Sequence, residues 1–145
     1  MAITTAMCSS FKQELLGGTH DLDSDTLKIA LIKASPSGTY GAATTNYSDV
    51  TGNSDEATGT NYTAGGQNLD SATIYLSGTT AFVDFADETF STLTLSADGA
   101  IIYNASQANK AIAVFDFGQT VTATSGDFTV IFPTADASNA VIRIT

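Results

Sequence analysis

The sequence predicts an all-β protein with one short helix near its N-terminus. After residue 26, apolar residues alternate with polar or small ones in eight short runs, which is the period of a β-strand. Apolar residues at helical spacing occur only within residues 5–16. Because no helical segment separates the eight runs, the pattern fits an antiparallel sandwich or barrel rather than alternating strands and helices.

The predicted helix covers residues 5–16. Met7, Phe11 and Leu15 recur every four residues and form one apolar stripe. A threonine precedes the stripe as a candidate N-cap, and two consecutive glycines follow it as a stop signal. An amphipathic helix of this length must bury its stripe, so we expect it to dock on a sheet face, a second copy or another protein.

Eight runs rich in β-branched and aromatic residues follow the helix, and turn residues separate them. The runs cover residues 27–32, 73–76, 81–85, 92–95, 100–103, 111–117, 128–132 and 140–144. Asp98-Gly99 lies between two runs and is the strongest tight-hairpin signal in the chain. The run 111–117 is apolar on both faces, which predicts a strand inside a sheet with both faces covered.

Residues 34–70 are predicted to form a long loop rich in Gly, Thr and Tyr. No periodicity is present there, and the apolar content is nearly all Ala and Tyr. Loops of this length inside a compact domain are usually functional or mobile. Tyr40, Tyr47 and Tyr62 are spread along the loop. These rings suit a contact surface, and equally suit a role in which they pin the loop to the sheet.

Length and charge exclude several classes of protein. The 145 residues fit one domain, residues 1–145. Five basic residues against fifteen acidic ones give a net charge of −10, which disfavours nucleic acid and anionic membranes as partners. A single cysteine and a single histidine exclude a disulfide framework and an ordinary zinc site. The first residues lack the features of a secretory signal, so we expect synthesis in the cytoplasm with a reduced thiol.

Two residue pairs have the chemistry of catalytic groups, but the other groups that a catalytic site needs are not recognisable in the sequence. Cys8 and His20 are a nucleophile and a base, yet no orienting group or oxyanion donor accompanies them. Asp84 and Asp116 occupy similar strand contexts, yet the chain has no Trp for a sugar platform. With no nucleotide, nucleophile-elbow or metal motif present, we expect no cofactor and no enzymatic activity.

An acidic segment after the helix has part of the pattern of a calcium loop. Asp21, Asp23 and Asp25 match its first, third and fifth positions. The glycine expected next is Thr26, and the glutamate expected at the twelfth position is Ile32. The segment therefore fits an acidic turn between the helix and the first strand better than a calcium site.

Several blocks of the sequence, in their order, resemble a group of small tailed-bacteriophage virion proteins of the capsid cement or decoration type. The blocks are residues 2–16, 62–66, 80–85, 99–104, 113–118 and 128–133. The resemblance implies a jelly-roll-like β-sandwich on the outer surface of the capsid. It also implies the major capsid protein as partner and a homo-oligomer, a dimer or a trimer. It prescribes no catalytic residue.

The sequence leaves two functions open. The first is a non-enzymatic virion protein that bridges and stabilises capsid subunits. The second is a carbohydrate-binding or tail-associated adhesin module, which the absence of Trp disfavours. For either function the candidate contacts are the helix stripe and the loop tyrosines. These candidate interface residues are Met7, Phe11, Leu15, Tyr40, Tyr47 and Tyr62.

Overall fold

The computed structural model describes residues 2–145 and confirms a mostly β protein. Strands make up 47% of the chain and helices 9%, as expected for the all-β class. In chain order the elements are β1 (Ala6–Met7), α1 (Ser9–Leu16), β2 (Leu27–Lys33), α2 (Ser48–Gly52), β3 (Gln67–Asn68), β4 (Thr73–Ser77), β5 (Thr80–Asp84), β6 (Glu88–Asn104), β7 (Lys110–Val130) and β8 (Ile142–Ile144).

The strands form two antiparallel sheets. The larger sheet has the order β1-β7-β6-β2-β3, and the smaller has the order β4-β5-β8. Residues 99–104 of β6 are buried on both faces, because neighbours such as Ile101 and Ile102 point to opposite sides and both are inaccessible. Residues 111–114 of β7 are buried in the same way, so the expectation of two covered faces is confirmed for these residues only; Phe115 and Phe117 are half-buried and Asp116 is exposed. Val83, Phe85 and Ile142 join the same buried cluster.

The tight hairpin predicted at Asp98-Gly99 is wrong. Strand β6 continues through this dipeptide, and only its register against β7 shifts there. A Cβ atom on Gly99 would lie 2.3 Å from the carbonyl oxygen of Phe115, so glycine permits this close approach. Asp98 accepts hydrogen bonds from the Ser35 amide at 2.8 Å and the Thr120 hydroxyl at 2.5 Å. A bulge, rather than a turn, occupies this site.

The number of strands agrees with the prediction, but their identities differ. Segments 92–95 and 100–103 belong to the single strand β6, while 111–117 and most of 128–132 belong to β7. The two-residue strands β1 and β3 restore the number to eight within residues 2–145. The tight hairpin of the smaller sheet lies at Gly78, whose φ of +60° suits the first central position of a type II′ turn.

The helix begins later than predicted. Residues 6–7 pair with β7 as strand β1, so α1 starts at Ser9, with Cys8 rather than a threonine at the N-cap. Residues 6–7 form a strand rather than a helical turn because pairing with β7 satisfies backbone groups that the first helical turn would leave without partners. The predicted stop is confirmed, since α1 ends at Leu16 and Gly18 has a φ of +74°.

Residues 34–70 are more ordered than the predicted loop. They contain α2 and β3, and their backbone lies along the outer edge of β2. The amide of Lys33 donates to Asp55, the amide of Ala57 to Leu31, and the amide of Leu69 to Leu27, each at 2.8 Å. The segment therefore supplies backbone partners to an edge that would otherwise be open.

Candidate functional site

The smaller sheet carries an aliphatic face that its own chain covers only in part. Side chains alternate along a strand, and the observed register places six aliphatic residues on the same side. These residues are Ile74, Leu76, Ala81, Val83, Ile142 and Ile144. Val83 and Ile142 are buried against the core, whereas Ile74, Leu76 and Ile144 are exposed. One end of this face is therefore open.

The open end continues into a groove between α1 and β8, and together they form what we call the apolar trough. Its main apolar lining comprises Met7, Leu15, Leu16, Ile74, Ala81, Val141, Ile142 and Ile144. The part beside α1 encloses about 680 Å³.

Exposed apolar side chains concentrate in and beside the trough. In residues 2–145 the large apolar side chains that remain exposed are Leu16 (93%), Leu76 (75%), Ile131 (75%), Ile144 (54%), Ile74 (50%) and Tyr75 (47%). All except Ile131 belong to α1 or the smaller sheet. Such a cluster of exposed apolar side chains is typical of a contact surface.

Positive charge lies beside this apolar surface. Lys12 and Arg143 line the part of the trough between α1 and β8, where the terminal residue Thr145 also lies, and Asp21 lines the part beside β5. The chain as a whole has only five basic residues against fifteen acidic ones. Beside Lys12 and Arg143, an apolar partner surface that bears carboxylates would be complementary to these two side chains.

The trough receives only part of the predicted helix stripe. Met7 and Leu15 line it, whereas Phe11 is fully inaccessible and packs its ring 5.0 Å from that of His20. The expectation that Phe11 contacts a partner is therefore wrong, because the eight-residue helix turns this ring into its own core.

Asp55 explains the burial of Tyr40. The Tyr40 hydroxyl donates to this carboxylate at 2.5 Å, and the amides of Ser37 and Gly38 donate at 2.9 and 2.7 Å. Lys33 Nζ lies 2.9 Å from it. Burial opposes ionisation of Asp55, but these donors outweigh it and hold its pKa well below the ordinary value. Tyr40 is inside the chain, so the expectation that it contacts a partner is wrong.

Glu56 organises the other two loop tyrosines. It accepts hydrogen bonds from the hydroxyls of Tyr47 and Tyr62 and from the Gly65 amide. The Tyr62 hydroxyl also accepts from the Leu31 amide at 2.9 Å, and the Tyr47 ring stacks on Tyr103 with centroids 4.4 Å apart. Tyr47 and Tyr62 are half-buried, and these contacts pin the loop to the sheet.

These phenols are held neutral. Burial, then the hydrogen bond to Asp55, raises the pKa of Tyr40 to about 12. Burial, then the charge of Glu56, raises the pKa of Tyr103 to about 12. Burial is also the main cause that raises the pKa of Tyr47 and Tyr62. Neutral, internally bonded phenols are suited to holding the fold rather than to proton transfer.

The structure does not pair Cys8 with His20. Cys8 is buried, its Sγ lies 3.8 Å from the carbonyl oxygen of Gly41, and burial followed by the charges of Asp49 and Glu14 raises its pKa to about 12. His20 Nε2 lies 2.7 Å from Glu14, and Nδ1 lies 2.9 Å from the Asn104 amide nitrogen. Both ring nitrogens therefore have partners inside the chain, and neither lies against Cys8.

The acidic candidates are also dispersed. Asp25 accepts hydrogen bonds from the Asp21 amide at 3.0 Å and from Asn104 at 2.6 Å. In residues 2–145 no three His, Cys, Asp or Glu side chains converge as a metal site would require. Asp84 and Asp116 lie on strands of different sheets.

The residues that sequence reasoning missed are Leu16, Ile74, Leu76 and Ile144. The available signal was the run of residues 73–77, which is apolar at adjacent positions and lies in a stretch without charge. Recognising the surface also required the pairing of β5 with β8, which joins segments about sixty residues apart.

Comparisons with protein-family models, curated proteins and solved structures found no match. A search of the described residues for a helix of the length and hydropathy needed to cross a membrane found none.

Proposed function

We propose that this chain is a non-enzymatic structural protein of a tailed-phage virion. It binds the outer surface of the capsid and stabilises it by bridging subunits of the major capsid protein. The observation that carries the proposal is the apolar trough. Its open side chains need a cover, and an apolar, carboxylate-bearing surface on the capsid protein meets that need.

The internal hydrogen bonds support a role in contact rather than in chemistry. Buried polar groups are bound inside the chain, as Asp55 is by Tyr40 and as His20 is by Glu14 and Asn104. A decoration protein needs a rigid body with a docking surface. Internal networks of this kind rigidify a fold.

Charge and fold support the same proposal. A net charge of −10 keeps free copies soluble before assembly and disfavours contact with packaged DNA, as a position outside the shell requires. We propose that the two sheets pack as a β-sandwich, because residues from both belong to one buried cluster. The jelly-roll arrangement implied by the sequence resemblance stays a prediction.

Binding to capsids that lack the protein tests this function. Purified chain is mixed with expanded, DNA-free capsids, and the bound fraction is measured after sedimentation. Leu16→Glu and Ile144→Glu place a carboxylate in the trough at side chains that are already exposed. Each should lower affinity by about tenfold or more, because the new carboxylate replaces an apolar contact and repels the carboxylates proposed on the partner.

Ile131→Glu is the matched control, since Ile131 is exposed but lies outside the trough. It should bind as the unmodified chain does, and all three variants should melt at unchanged temperature. Unaltered affinity of Leu16→Glu and Ile144→Glu, or failure of the unmodified chain to sediment with capsids, would contradict the proposal.

A further inference from the structure

We propose that strand β4 is a self-association edge, through which two copies of this chain join their smaller sheets into one six-stranded antiparallel sheet. The strand order would be β8-β5-β4 in one copy, followed by β4-β5-β8 in the second. This pairing concerns the free protein and does not depend on capsid binding.

The first argument is that β4 differs from the other sheet edges. It is the outer strand of its sheet, all five of its residues are exposed, and its register with β5 shows no bulge. β1 and β3 have two residues each, and β8 has three with Arg143 at its centre. The long edge of β7 contains Asp116 and Asp127, and its pairing with β6 is interrupted by register shifts. Short length, charge and bulges protect edges, and β4 has none of these devices.

The second argument comes from the hairpin. Ser77 and Thr80 flank its two-residue turn and form a hydrogen-bonded pair, and the bonding then alternates along the strand. The backbone groups of Tyr75 therefore face β5, whereas those of Ile74 and Leu76 face outward. Four donors and acceptors per copy are thus directed at the vacant side of β4.

The third argument is register. An antiparallel pair centred on Tyr75 is the arrangement that matches all five residues of β4 with a second β4. It places Ile74 opposite Leu76 of the second copy, as a hydrogen-bonded pair, and Tyr75 opposite Tyr75. The aliphatic face then continues across the junction. On the other face Tyr75, which already stacks on Phe82 at 5.6 Å, meets its copy as an aromatic cross-strand pair.

The distribution of charge favours a second copy of this chain as the partner of the open edge of β4. No charged residue lies between Asp70 and Asp84, although the chain carries a net charge of −10. Two copies therefore repel each other least where their β4 hairpins meet. A twofold axis at Tyr75, perpendicular to the sheet, relates the same patch on both copies and gives a closed, isologous contact.

Sedimentation velocity over a wide range of concentrations, without capsids, tests the inference. The unmodified chain should associate to a dimer. Leu76→Pro removes an outward-facing amide and spares the bonds to β5, so it should weaken the dimer by at least about tenfold relative to Leu76→Ala, which keeps the amide. A mass that stays monomeric at every concentration, or equal dimerisation of Leu76→Pro and Leu76→Ala, would overturn the inference.

Disulfide trapping supplies a second readout that is independent of the proline substitution. Opposed residues in a non-hydrogen-bonded pair have Cα atoms about 4.5 Å apart, within the range of a disulfide. Under mild oxidation Tyr75→Cys should form a covalent dimer much faster than Leu16→Cys, an exposed control, while the buried Cys8 stays unreacted. Equal rates for both variants would overturn the inference. So would association that appears only with capsids present, which would assign the edge to the capsid protein.

Discussion

Asp55 is one polar residue on which the packing of residues 34–70 depends. It is fully buried, and its charge is stabilised by Tyr40, by two backbone amides and by Lys33. A buried carboxylate that keeps its charge is tolerated only with several donors. The loss of one donor should therefore destabilise the whole segment.

Tyr40→Phe should lower the free energy of unfolding by about 1.5–3 kcal/mol, the range for a hydrogen bond to a charged group. Urea denaturation at neutral pH measures this change. Tyr75→Phe removes a hydroxyl from an exposed ring and serves as the control, with an expected change within about 0.5 kcal/mol. Equal stability of the two variants would show that the bond between Tyr40 and Asp55 contributes nothing.

The buried tyrosines make the stability of the fold depend on pH in the alkaline range. The pKa is about 12 for Tyr40 and for Tyr103, above the value of about 10 in an unfolded chain. Their contribution to stability is complete below pH of about 10 and is lost as the pH rises towards the folded values. Phenolate absorbance should therefore develop mainly together with alkaline unfolding, above the range of the urea-denatured chain. Titration of all five phenols at the denatured-chain pKa, with the fold intact, would contradict this expectation.

At the level of elements, α1 serves the core and the surface with different residues. Phe11 is fully buried, Leu15 is half-buried at the trough, and Leu16 is almost fully exposed. One short helix therefore contributes an internal anchor and two surface contacts. Substitutions along it should separate folding from docking.

Phe11→Ala should lower the free energy of unfolding by about 3–5 kcal/mol, because it leaves a cavity beside His20. The oligomeric state of the folded fraction should not change, since the ring lies within its own chain. Thermal melting and light scattering measure the two effects, with Leu16→Ala as a control on the same helix. A folded variant with unchanged melting but a smaller assembly would show that Phe11 contacts a partner.

Elements with strong local signals were predictable. The spacing of Phe11 and Leu15 and the two following glycines located most of α1, and the β-branched runs located β2, β4, β5 and β8. The hairpin prediction at Asp98-Gly99 was wrong because the turn preference of this dipeptide reflects only local conformation. The side-chain bonds to Ser35 and Thr120, and the register with β7, come from distant parts of the chain and override it.

The candidate site was less predictable than the fold. Periodicity identified Met7 and Leu15, but no local pattern tells that Phe11 turns inward while Leu16 stays open. The aliphatic face arises only when β4, β5 and β8 share a sheet. Likewise, Tyr40 meets its partner Asp55 only because the loop folds along β2, which no local pattern predicts.

At the scale of the whole molecule, charge and apolar exposure are separated. In residues 2–145, five of the six exposed large apolar side chains belong to α1 or the smaller sheet, and Lys12 and Arg143 line the trough beside them. A protein that binds the assembled shell and not its free subunits stabilises the shell by mass action. On the function proposed above, occupancy of the trough should raise the temperature at which the capsid fails.

The release of DNA on heating tests the central claim most directly. Virions with and without the protein are heated, and exposed DNA is followed with a dye that is excluded by intact particles. Particles without the protein should release DNA at a lower temperature. Added chain should restore the higher temperature, Ile131→Glu should do so equally, and Leu16→Glu should restore it poorly. Identical release temperatures with and without the protein would contradict the account.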